Sequence, residues 1–466
     1  MSLQISKKNI RRPVIVKTIA QMLRLLLLAL LVHSSSFAGS MIAHIDTDKV
    51  ISATKDPSWV IIDTRLSDAY NGWKLDGISR GGRIKGAVDF SANWLKVGDK
   101  NLTDTLKEIL SSKGITKDKQ IILYDANGKN TDAVAAFLQS QGMENIYHYD
   151  VTKWANDTSL PMEKYTNYQR IIPAVILKDI LEGKRPESFK ESKNIKVVEA
   201  SWGEEKTSYL KGHIPGSFHI NTDNIEPPSS KDPVMWILAD DKILSDFALE
   251  FGFTKNDTVI VTAAEPLASY RIATVLKYIG VEDVRVLNGG TLAWTMAGYE
   301  LETERHDHPA SIQDFGGPIP GNPGVIDTMT ETREGLRQPA TFSLVDNRTW
   351  KEHIGESTGY SYHKMKGRVP GAKYGHAGIK DAYSMDYFRN PDKTMRNATE
   401  FIAFWEKEGI DTNKHLSFMC GSGWRAAEIY YFADTYGLKD IGIFSDGWIG
   451  WSNDSTNPIE TGIPKK

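Results

Sequence analysis

Cysteine is almost absent from this sequence: Cys420 is the only one among 466 residues. A disulfide within the chain is therefore excluded, and so is a structural zinc site built from a cysteine cluster. Glycine-rich nucleotide loops are also missing, since no Walker or dinucleotide pattern stands at a strand-to-helix junction. The histidines are scattered, and His213, His219, His306 and His308 are expected to lie in loops as solvated hydrogen-bonding groups. The sequence thus predicts no metal and no cofactor.

Acidic residues are missing from the first 38 positions, which carry six basic residues and an apolar run over residues 25–32. That run is too short to span a bilayer, and the small residues Ser36 and Ala38 fit cleavage after Ala38. We therefore expect a signal peptide over residues 1–38 and a soluble periplasmic protein without a membrane segment after cleavage. An uncleaved anchor and a start at Met22 are the alternatives. Removing the segment changes the formal net charge from −3 to −9, which disfavours nucleic acid as a partner.

Three parts of the remaining chain repeat one order of motifs. Each begins with an apolar run that ends in an acid, at Asp63, Glu199 and Asp346. A turn follows in each, "GGRIKGA", "KGHIPGS" or "KGRVPGA", and then a second apolar run leads into a helical stretch. No histidine stands beside the three acids in the sequence as an evident general base, so we expect the acids to be structural.

The second apolar runs align at Asp125, Ala263 and Cys420 without gaps in the helices that follow. Each copy then has a glycine expected to end its helix and a tryptophan expected in the core. These residues are Gly142, Gly280 and Gly437, and Trp154, Trp294 and Trp451. Alternating strands and helices predict an α/β fold in which each domain is a mainly parallel sheet flanked by helices. The expected domains are residues 41–160, 171–303 and 322–466.

The lone thiol lies in the loop "CGSGWR", directly after the apolar run "LSFM" and before a helix. Ligands of parallel sheets bind beyond the carboxyl ends of strands. Backbone N–H groups and the positive end of the helix favour a thiolate there, which is the reactive form. Gly421 and Gly423 let the backbone curl into a cradle, and Arg425 adds a fixed positive charge. The loop is therefore predicted to be a nucleophilic pocket that holds anions.

The loop "CGSGWR", the turn "GRVPGA", the strand end "LVDNR" and the segment "SDGWIGW" together resemble the rhodanese family of sulfurtransferases. The chain after residue 38 is similar to the three-domain exported rhodaneses of Gram-negative bacteria. The resemblance implies three rhodanese-like domains, and it implies that Cys420 takes a sulfane sulfur from thiosulfate or a related small anionic donor. The resulting persulfide gives the sulfur to a thiophilic acceptor such as cyanide, a small thiol or a protein thiol. The implied substrate-binding residues are Gly421, Ser422, Gly423, Trp424, Arg425 and Arg348.

Departures from the family pattern leave alternatives open. Asp125 and Ala263 stand at the nucleophile position of the first two domains, so these domains are expected to be inactive and to serve as structure or as walls of the cleft. "CGSG" resembles the branch that uses 3-mercaptopyruvate, whereas "WR" departs from it, so this donor is not excluded. The alternatives to a sulfurtransferase are a non-enzymatic sulfur carrier and a cysteine-dependent phosphatase or arsenate reductase. The related phosphatases need five residues between cysteine and arginine, and this chain has four.

Overall fold

The computed structural model describes residues 42–229 and 234–465. The chain divides into two units, and the described part of the first unit contains the two-residue strand β1 (Ala43–His44). The second unit, Ile45–Lys466, holds three α/β domains. The predicted leader, residues 1–38, lies outside the described residues. Among the helices that are described, none has the length and apolar character needed to cross a membrane.

Domain 1 is built on parallel strands. Its elements are α1 (Thr47–Ala53), β2 (Trp59–Asp63), α2 (Ser67–Asn71), β3 (Arg83–Ile84), β4 (Val88–Asp89), α3 (Leu102–Ser112), β5 (Gln120–Asp125), α4 (Lys129–Ser140), β6 (Ile146–Asp150), α5 (Val151–Asn156) and β7 (Met162–Glu163). Strands β6, β5, β2 and β4 are neighbours in that order and run parallel. Strands β3 and β7 form a separate antiparallel pair.

Domain 2 repeats this plan. Its elements are β8 (Ile171–Ile172), α6 (Ala174–Leu181), β9 (Ile195–Ser201), β10 (Phe218–Asn221), α7 (Asp241–Glu250), β11 (Thr258–Thr262), α8 (Pro266–Ile279), β12 (Asp283–Leu287) and α9 (Gly290–Met296). The sheet order is β10-β9-β11-β12-β8, and all of these neighbours are parallel.

Domain 3 contains the lone cysteine. Its elements are β13 (Ile326–Asp327), α10 (Met329–Leu336), β14 (Phe342–Asp346), α11 (Trp350–His353), β15 (Lys373–Tyr374), α12 (Ala398–Lys407), β16 (His415–Met419), α13 (Trp424–Tyr436), β17 (Ile441–Phe444) and α14 (Gly447–Asn453). The parallel sheet has the order β13-β17-β16-β14-β15. Helices pack against the sheets of all three domains, which confirms the predicted α/β class.

A tryptophan closes the core of each domain in the same way. Trp154, Trp294 and Trp451 are at most 2% exposed. The indole N–H of each donates to a backbone carbonyl six or seven residues further along the chain, at 2.8–3.0 Å. A buried indole needs such an acceptor for its polar edge. The prediction that these tryptophans are repeated core residues is confirmed.

Domains 2 and 3 share one apolar core across helices α8 and α13. The ring of Tyr270 on α8 lies 5.6 Å from that of Tyr431 and 5.3 Å from that of Phe432, both on α13. One cluster of buried apolar residues contains members of both helices. The helix that begins at the cysteine loop is therefore fixed by domain 2 as well as by its own sheet.

His415 at the start of β16 makes the stability of domain 3 depend on pH. Its Nε2 lies 3.1 Å from Oδ1 of Asp327, and its Nδ1 lies 2.7 Å from Oδ1 of Asp440. The hydrogen bond to Asp327, followed by the attraction of both carboxylates, raises the pKa of His415 to about 9 although burial opposes this. A raised pKa in the folded state means that the imidazolium stabilises the fold fully below about pH 6.5 and less as pH passes through about 9.

We therefore expect the urea midpoint to fall between about pH 6.5 and about pH 9.5, and the fall to be smaller in His415→Gln. The matched control is His308→Gln, because His308 is exposed and its ring contacts only the carbonyl of Pro309 and the ring of Phe251 among the described residues. An equally steep fall in His415→Gln would contradict the assignment.

Candidate active site

Cys420 lies directly after β16, in front of helix α13, and is 1% exposed. Gly423 precedes the helix as its N-cap residue, with a left-handed φ of +93° that an L side chain disfavours. The first N–H groups of a helix have no partner inside the helix, and the helix end is positive. The predicted position of the thiol, between a strand end and a helix start, is confirmed.

Two backbone N–H groups of helix α14 donate to carbonyl groups of the cysteine loop. The N–H of Trp448 donates to the carbonyl of Cys420 at 2.8 Å, and the N–H of Ile449 donates to the carbonyl of Gly421 at 3.0 Å. Gly447 lies so close to the loop that a Cβ on it would meet both carbonyl oxygens at 2.5–2.6 Å. Only glycine allows this approach, and the approach fixes the loop.

The equivalent loop of domain 1 shows what this backbone shape binds. The carboxylate of Asp125, at the position that corresponds to Cys420, accepts hydrogen bonds from four backbone N–H groups at 2.7–3.3 Å. The donors are Asn127, Gly128, Asn130 and Thr131. The loop of domain 1 is thus an anion site that a side chain of the same loop fills.

The loop of domain 3 has the same backbone conformation at its key glycine. Gly128 has φ +83° and ψ −17°, and Gly423 has φ +93° and ψ −11°. The alignment places the N–H groups of Ser422, Gly423, Arg425 and Ala426 where domain 1 has its four donors. Cys420 thus stands at the position of Asp125, where an anion accepts charge-assisted hydrogen bonds, which are strong.

Arg425 is bound to a carboxylate of its own domain. Its Nη1 and Nη2 each donate to Glu352 at 2.9 Å, and Nη2 also donates to the hydroxyl of Tyr360 at 2.9 Å. Burial alone would raise the pKa of Glu352, but Arg425, its hydrogen bonds and Arg348 together hold that pKa below the ordinary value. The positive charge of Arg425 is therefore compensated by the carboxylate of Glu352. A contact between Arg425 and the sulfur donor stays a prediction.

Arg348 lies in the interior rather than at a cavity. It donates to the carboxylate of Asp346 at 2.8 and 2.7 Å and to the carbonyl of Gly367 at 2.9 Å. It is fully buried and is not one of the residues that line the cavity described below. These contacts connect the end of β14 to the turn "KGRVPGA". A contact between Arg348 and the sulfur donor stays a prediction.

Two of the three strand-end acids do have a histidine beside them. Nδ1 of His353 lies 2.8 Å from Oδ2 of Asp346, and Nδ1 of His219 lies 2.7 Å from Oε2 of Glu199. The expectation that no histidine accompanies these acids was therefore wrong, because the partners come from elsewhere in the chain. The pair of Asp346 with His353 is buried and that of Glu199 with His219 is partly buried. Neither histidine lines the cavity, so the acids keep a structural role.

A cavity of about 400 Å³ lies between domains 2 and 3 and reaches the loop at Ser422, Trp424 and Arg425. Its walls include six aromatic side chains and two carboxylates, Asp223 and Glu226. The aromatic residues are Trp202, Trp236, Tyr360, Tyr362, Tyr383 and Trp424. Domain 2 therefore provides a wall of the cleft, as predicted. Cys420 itself is buried and is not one of the residues that line the cavity.

Contacts from domain 2 and from α11 support the loop, and the sequence reasoning missed them. The indole N–H of Trp424 donates to Oε2 of Glu226 at 2.6 Å, and Nε of Arg271 donates to Oε1 of the same carboxylate at 2.5 Å. Nη1 of Arg271 lies so close to Gly423 that a Cβ there would be 2.6 Å away. Arg271 is thus a buried positive charge against the loop. The one local signal for Glu352 is its capping box with Thr349.

The close approach of Gly447 leads to a testable prediction. Gly447→Ala adds a Cβ that meets two loop carbonyls, whereas Gly462→Ala adds one with nothing within 4 Å. Both glycines have positive φ, +55° and +81°, so the pair separates steric overlap from backbone strain. We expect Gly447→Ala to cost about 1–3 kcal/mol more stability than Gly462→Ala. It should also lower kcat/KM about a hundredfold by moving the loop. Equal urea midpoints and equal rates for the two variants would contradict this.

Comparison with known proteins agrees with the fold. The family model of the rhodanese-like domain matches residues 46–156, 186–297 and 328–454. The chain therefore belongs to the rhodanese family. It is an enzyme of the sulfurtransferase class, which moves sulfur from a donor to an acceptor.

Two relatives and one solved structure are similar to this chain over different lengths. Thiosulfate sulfurtransferase YnjE of Escherichia coli (strain K12) is 34% identical over 446 residues, which is 96% of this chain and 98% of the relative. Thiosulfate sulfurtransferase of Bos taurus is 25% identical over 267 residues, covering 55% of this chain and 84% of the relative. The anaerobic ergothioneine biosynthesis enzyme from Chlorobium limicola, in complex with its natural substrate trimethyl histidine, is 33% identical with a TM-score of 0.83. The match covers 91% of this chain and 100% of that chain.

Proposed function

We propose that the protein transfers a sulfane sulfur from thiosulfate or a related donor, through a persulfide on Cys420, to a thiophilic acceptor. The observation that carries the proposal is the loop itself. Its counterpart in domain 1 binds a carboxylate with four N–H groups, and the single thiol of the chain stands at the same position. Relatives named thiosulfate sulfurtransferases support the choice of thiosulfate as the first donor to test.

Two displacements at sulfur make up the reaction. The thiolate of Cys420 attacks the outer sulfur of thiosulfate, the S–S bond of the donor breaks, and sulfite leaves with the bonding electrons. The new persulfide carries its negative charge on the terminal sulfur, where the N–H groups of the loop stabilise it. The acceptor then attacks that sulfur, the Cys420 S–S bond breaks, and the thiolate is restored. With cyanide the product is thiocyanate.

Turnover distinguishes an enzyme from a sulfur carrier. We expect many molecules of thiocyanate per chain when thiosulfate and cyanide are both in excess, followed as product against time. A carrier would release at most one sulfur per chain under these conditions, and that result would reject the proposal. Mass spectrometry after incubation with thiosulfate or with 3-mercaptopyruvate identifies the better donor. Hydrolysis of phosphate esters without sulfur transfer would favour the phosphatase alternative.

The walls of the cavity favour a second candidate, in which the acceptor is a cation. Six aromatic side chains and the carboxylate of Asp223 line the cavity, and such surroundings attract quaternary ammonium groups. The charge of Glu226 is compensated by Arg271, and that of Arg425 by Glu352. The structurally similar enzyme of Chlorobium limicola has trimethyl histidine as its substrate. In this candidate reaction the terminal sulfur replaces a ring hydrogen of trimethyl histidine, and the thiol of Cys420 is regenerated.

Calorimetry on Cys420→Ala tests this candidate without turnover. We expect trimethyl histidine to bind at least about tenfold more tightly than histidine, and Trp236→Ala in the same background to reduce the difference. Val234→Ala is the matched control, because Val234 is exposed and is not one of the residues that line the cavity. Equal affinities for the two ligands would leave the simple thiophilic acceptor as the proposal.

We also propose that the protein is exported and that residues 1–38 are removed. The basic, apolar character of that segment supports the proposal. N-terminal sequencing of the soluble exported fraction is expected to begin at Gly39. An intact leader in the membrane pellet would contradict it.

A further inference from the structure

We propose that His213, Glu302 and His306 of domain 2 bind a divalent transition metal ion, with Zn²⁺ as the first ion to test. Ligand atoms of the three residues all lie within 4.8 Å of one another. Nε2 of His213 lies 3.4 Å from Oε1 of Glu302, and Nε2 of His306 lies 2.7 Å from the same oxygen. Zinc bonds of about 2.0–2.1 Å in tetrahedral geometry separate ligand atoms by roughly 3.3 Å. The spacing between His213 and Glu302 matches this value, and the shorter spacing between His306 and Glu302 has to widen when a metal binds.

The buried ring of His213 is oriented as a metal ligand is. The side chain is fully buried, and its Nδ1 lies 2.8 Å from the carbonyl oxygen of Tyr209, which only accepts hydrogen bonds. Nδ1 therefore carries a proton, and Nε2, on the other side of the ring, lies 3.4 Å from the carboxylate of Glu302. Metal-binding histidines almost always donate their other N–H to such an acceptor. The expectation that these histidines are solvated loop residues was wrong for His213, which is buried, and for His219, which lies on strand β10.

The buried Nε2 of His213 faces a carboxylate oxygen of Glu302. Nε2 has no hydrogen-bond partner among the described residues, although the Glu302 carboxylate is 3.4 Å away. With the ring neutral, this contact sets two acceptors against each other, which is unfavourable in the interior unless a proton or a metal cation lies between them. The N–H of Gly216 donates to the same carboxylate oxygen at 2.5 Å and fixes its position. A cation bound to the three ligand atoms resolves this contact.

The other two domains place an arginine where domain 2 has His213. In each domain this position pairs with a glutamate across an antiparallel bridge. The pairs are Arg83 with Glu163, His213 with Glu302, and Arg368 with Glu460. Domain 2 therefore lacks the fixed positive charge of a guanidinium at this position. It has instead a second imidazole, that of His306, which follows Glu302 by four residues in the sequence. A bound metal supplies the missing charge.

The position of the site indicates what the metal does. Glu302 and His306 belong to the segment that leaves domain 2 toward domain 3, and His213 belongs to the turn "KGHIPGS". The backbone N–H of His306 also donates to the hydroxyl of Tyr209 at 2.9 Å. The metal therefore clamps the start of the connection between the two domains that line the cavity. Its contribution is to stability rather than to the sulfur chemistry.

Metal titration of the full-length chain tests the site. The Cys420→Ser background removes the one thiol, which would itself bind zinc. After chelator treatment we expect about one Zn²⁺ per chain, and Co²⁺ in its place should give visible d–d bands without a thiolate charge-transfer band. In the same background His306→Gln should weaken binding at least about a hundredfold. The matched control is His308→Gln, two positions away and exposed, which should bind as the parent does.

Thermal unfolding provides a second measurement. Zn²⁺ should raise the unfolding temperature of the parent and of His308→Gln, and should leave that of His306→Gln unchanged. Less than about a tenth of an equivalent of bound zinc, or equal affinity in His306→Gln and the parent, would overturn the proposal. A cluster that is held by a shared proton instead would show destabilisation of His306→Gln without any effect of zinc, and that result would overturn it as well.

Discussion

Cys420→Ser is expected to abolish sulfur transfer, lowering kcat/KM for thiosulfate and cyanide by at least about a thousandfold. The chain has no second cysteine that could substitute, and a hydroxyl is a much weaker nucleophile than a thiolate. Incubation of the wild type with thiosulfate should add one sulfur, about 32 Da, which cyanide removes. Intact mass spectrometry should show no such addition in Cys420→Ser.

Two controls distinguish the loss of the thiol from a loss of folding. Serine at position 420 still faces the N–H groups of the loop, so we expect the urea midpoint to change little. Asp125→Asn, at the corresponding position of domain 1, should still gain one sulfur on Cys420. A wild type that gains no sulfur from any donor, or a Cys420→Ser variant that does, would remove Cys420 from the proposed reaction.

Arg425→Ala is expected to be the most destabilising change in the loop. It leaves the carboxylate of Glu352 buried without its cation, and breaking a buried pair from one side costs about 3–5 kcal/mol. Loss of the guanidinium should also reduce kcat/KM for thiosulfate about ten- to a hundredfold. Urea unfolding and steady-state kinetics measure the two effects separately. Iodoacetamide labelling checks that the thiol is retained.

Two further variants distinguish donor binding from support of the loop. Arg425→Lys keeps the charge but loses the planar fork, so it should recover only part of the stability and of the rate. Glu352→Gln leaves the guanidinium uncompensated beside the cavity, so an arginine that contacts an anionic donor should give a lower KM for thiosulfate. If Arg425→Ala turns over thiosulfate as well as wild type, the arginine is structural.

Much of the fold followed from repetition in the sequence. The three aligned strands and helices occur where they were expected, because strand and helix periodicity are local properties of the chain. Gly280 and Gly437 end helices α8 and α13 as C-cap residues, as predicted. Gly142 differs, since α4 ends at Ser140 with Gln141 as its cap, and the glycine follows one residue later. A cap position depends on how the last turn packs, which the spacing alone does not specify.

The sequence predicted only those site residues that are neighbours along the chain. The loop around Cys420 was found because thiol, glycines and arginine are neighbours in sequence. Glu352 and Tyr360 of domain 3, and Glu226 and Arg271 of domain 2, reach the loop only through tertiary packing. No periodicity connects residues so far apart. For the same reason the pairing of His213 with Glu302 across an antiparallel bridge could not be foreseen.

The filled loop of domain 1 has a kinetic consequence. Asp125 occupies the N–H groups of its own loop and Ala263 offers no nucleophile, so in the proposed reaction the three loops provide a single covalent intermediate. The burst of sulfite on mixing with excess thiosulfate should therefore equal one per chain. Double-reciprocal plots at several cyanide concentrations should be parallel, as for a ping-pong reaction without relay between domains. One transferable sulfur for each 52.1 kDa of protein is a poor ratio for storage, and it suits repeated turnover.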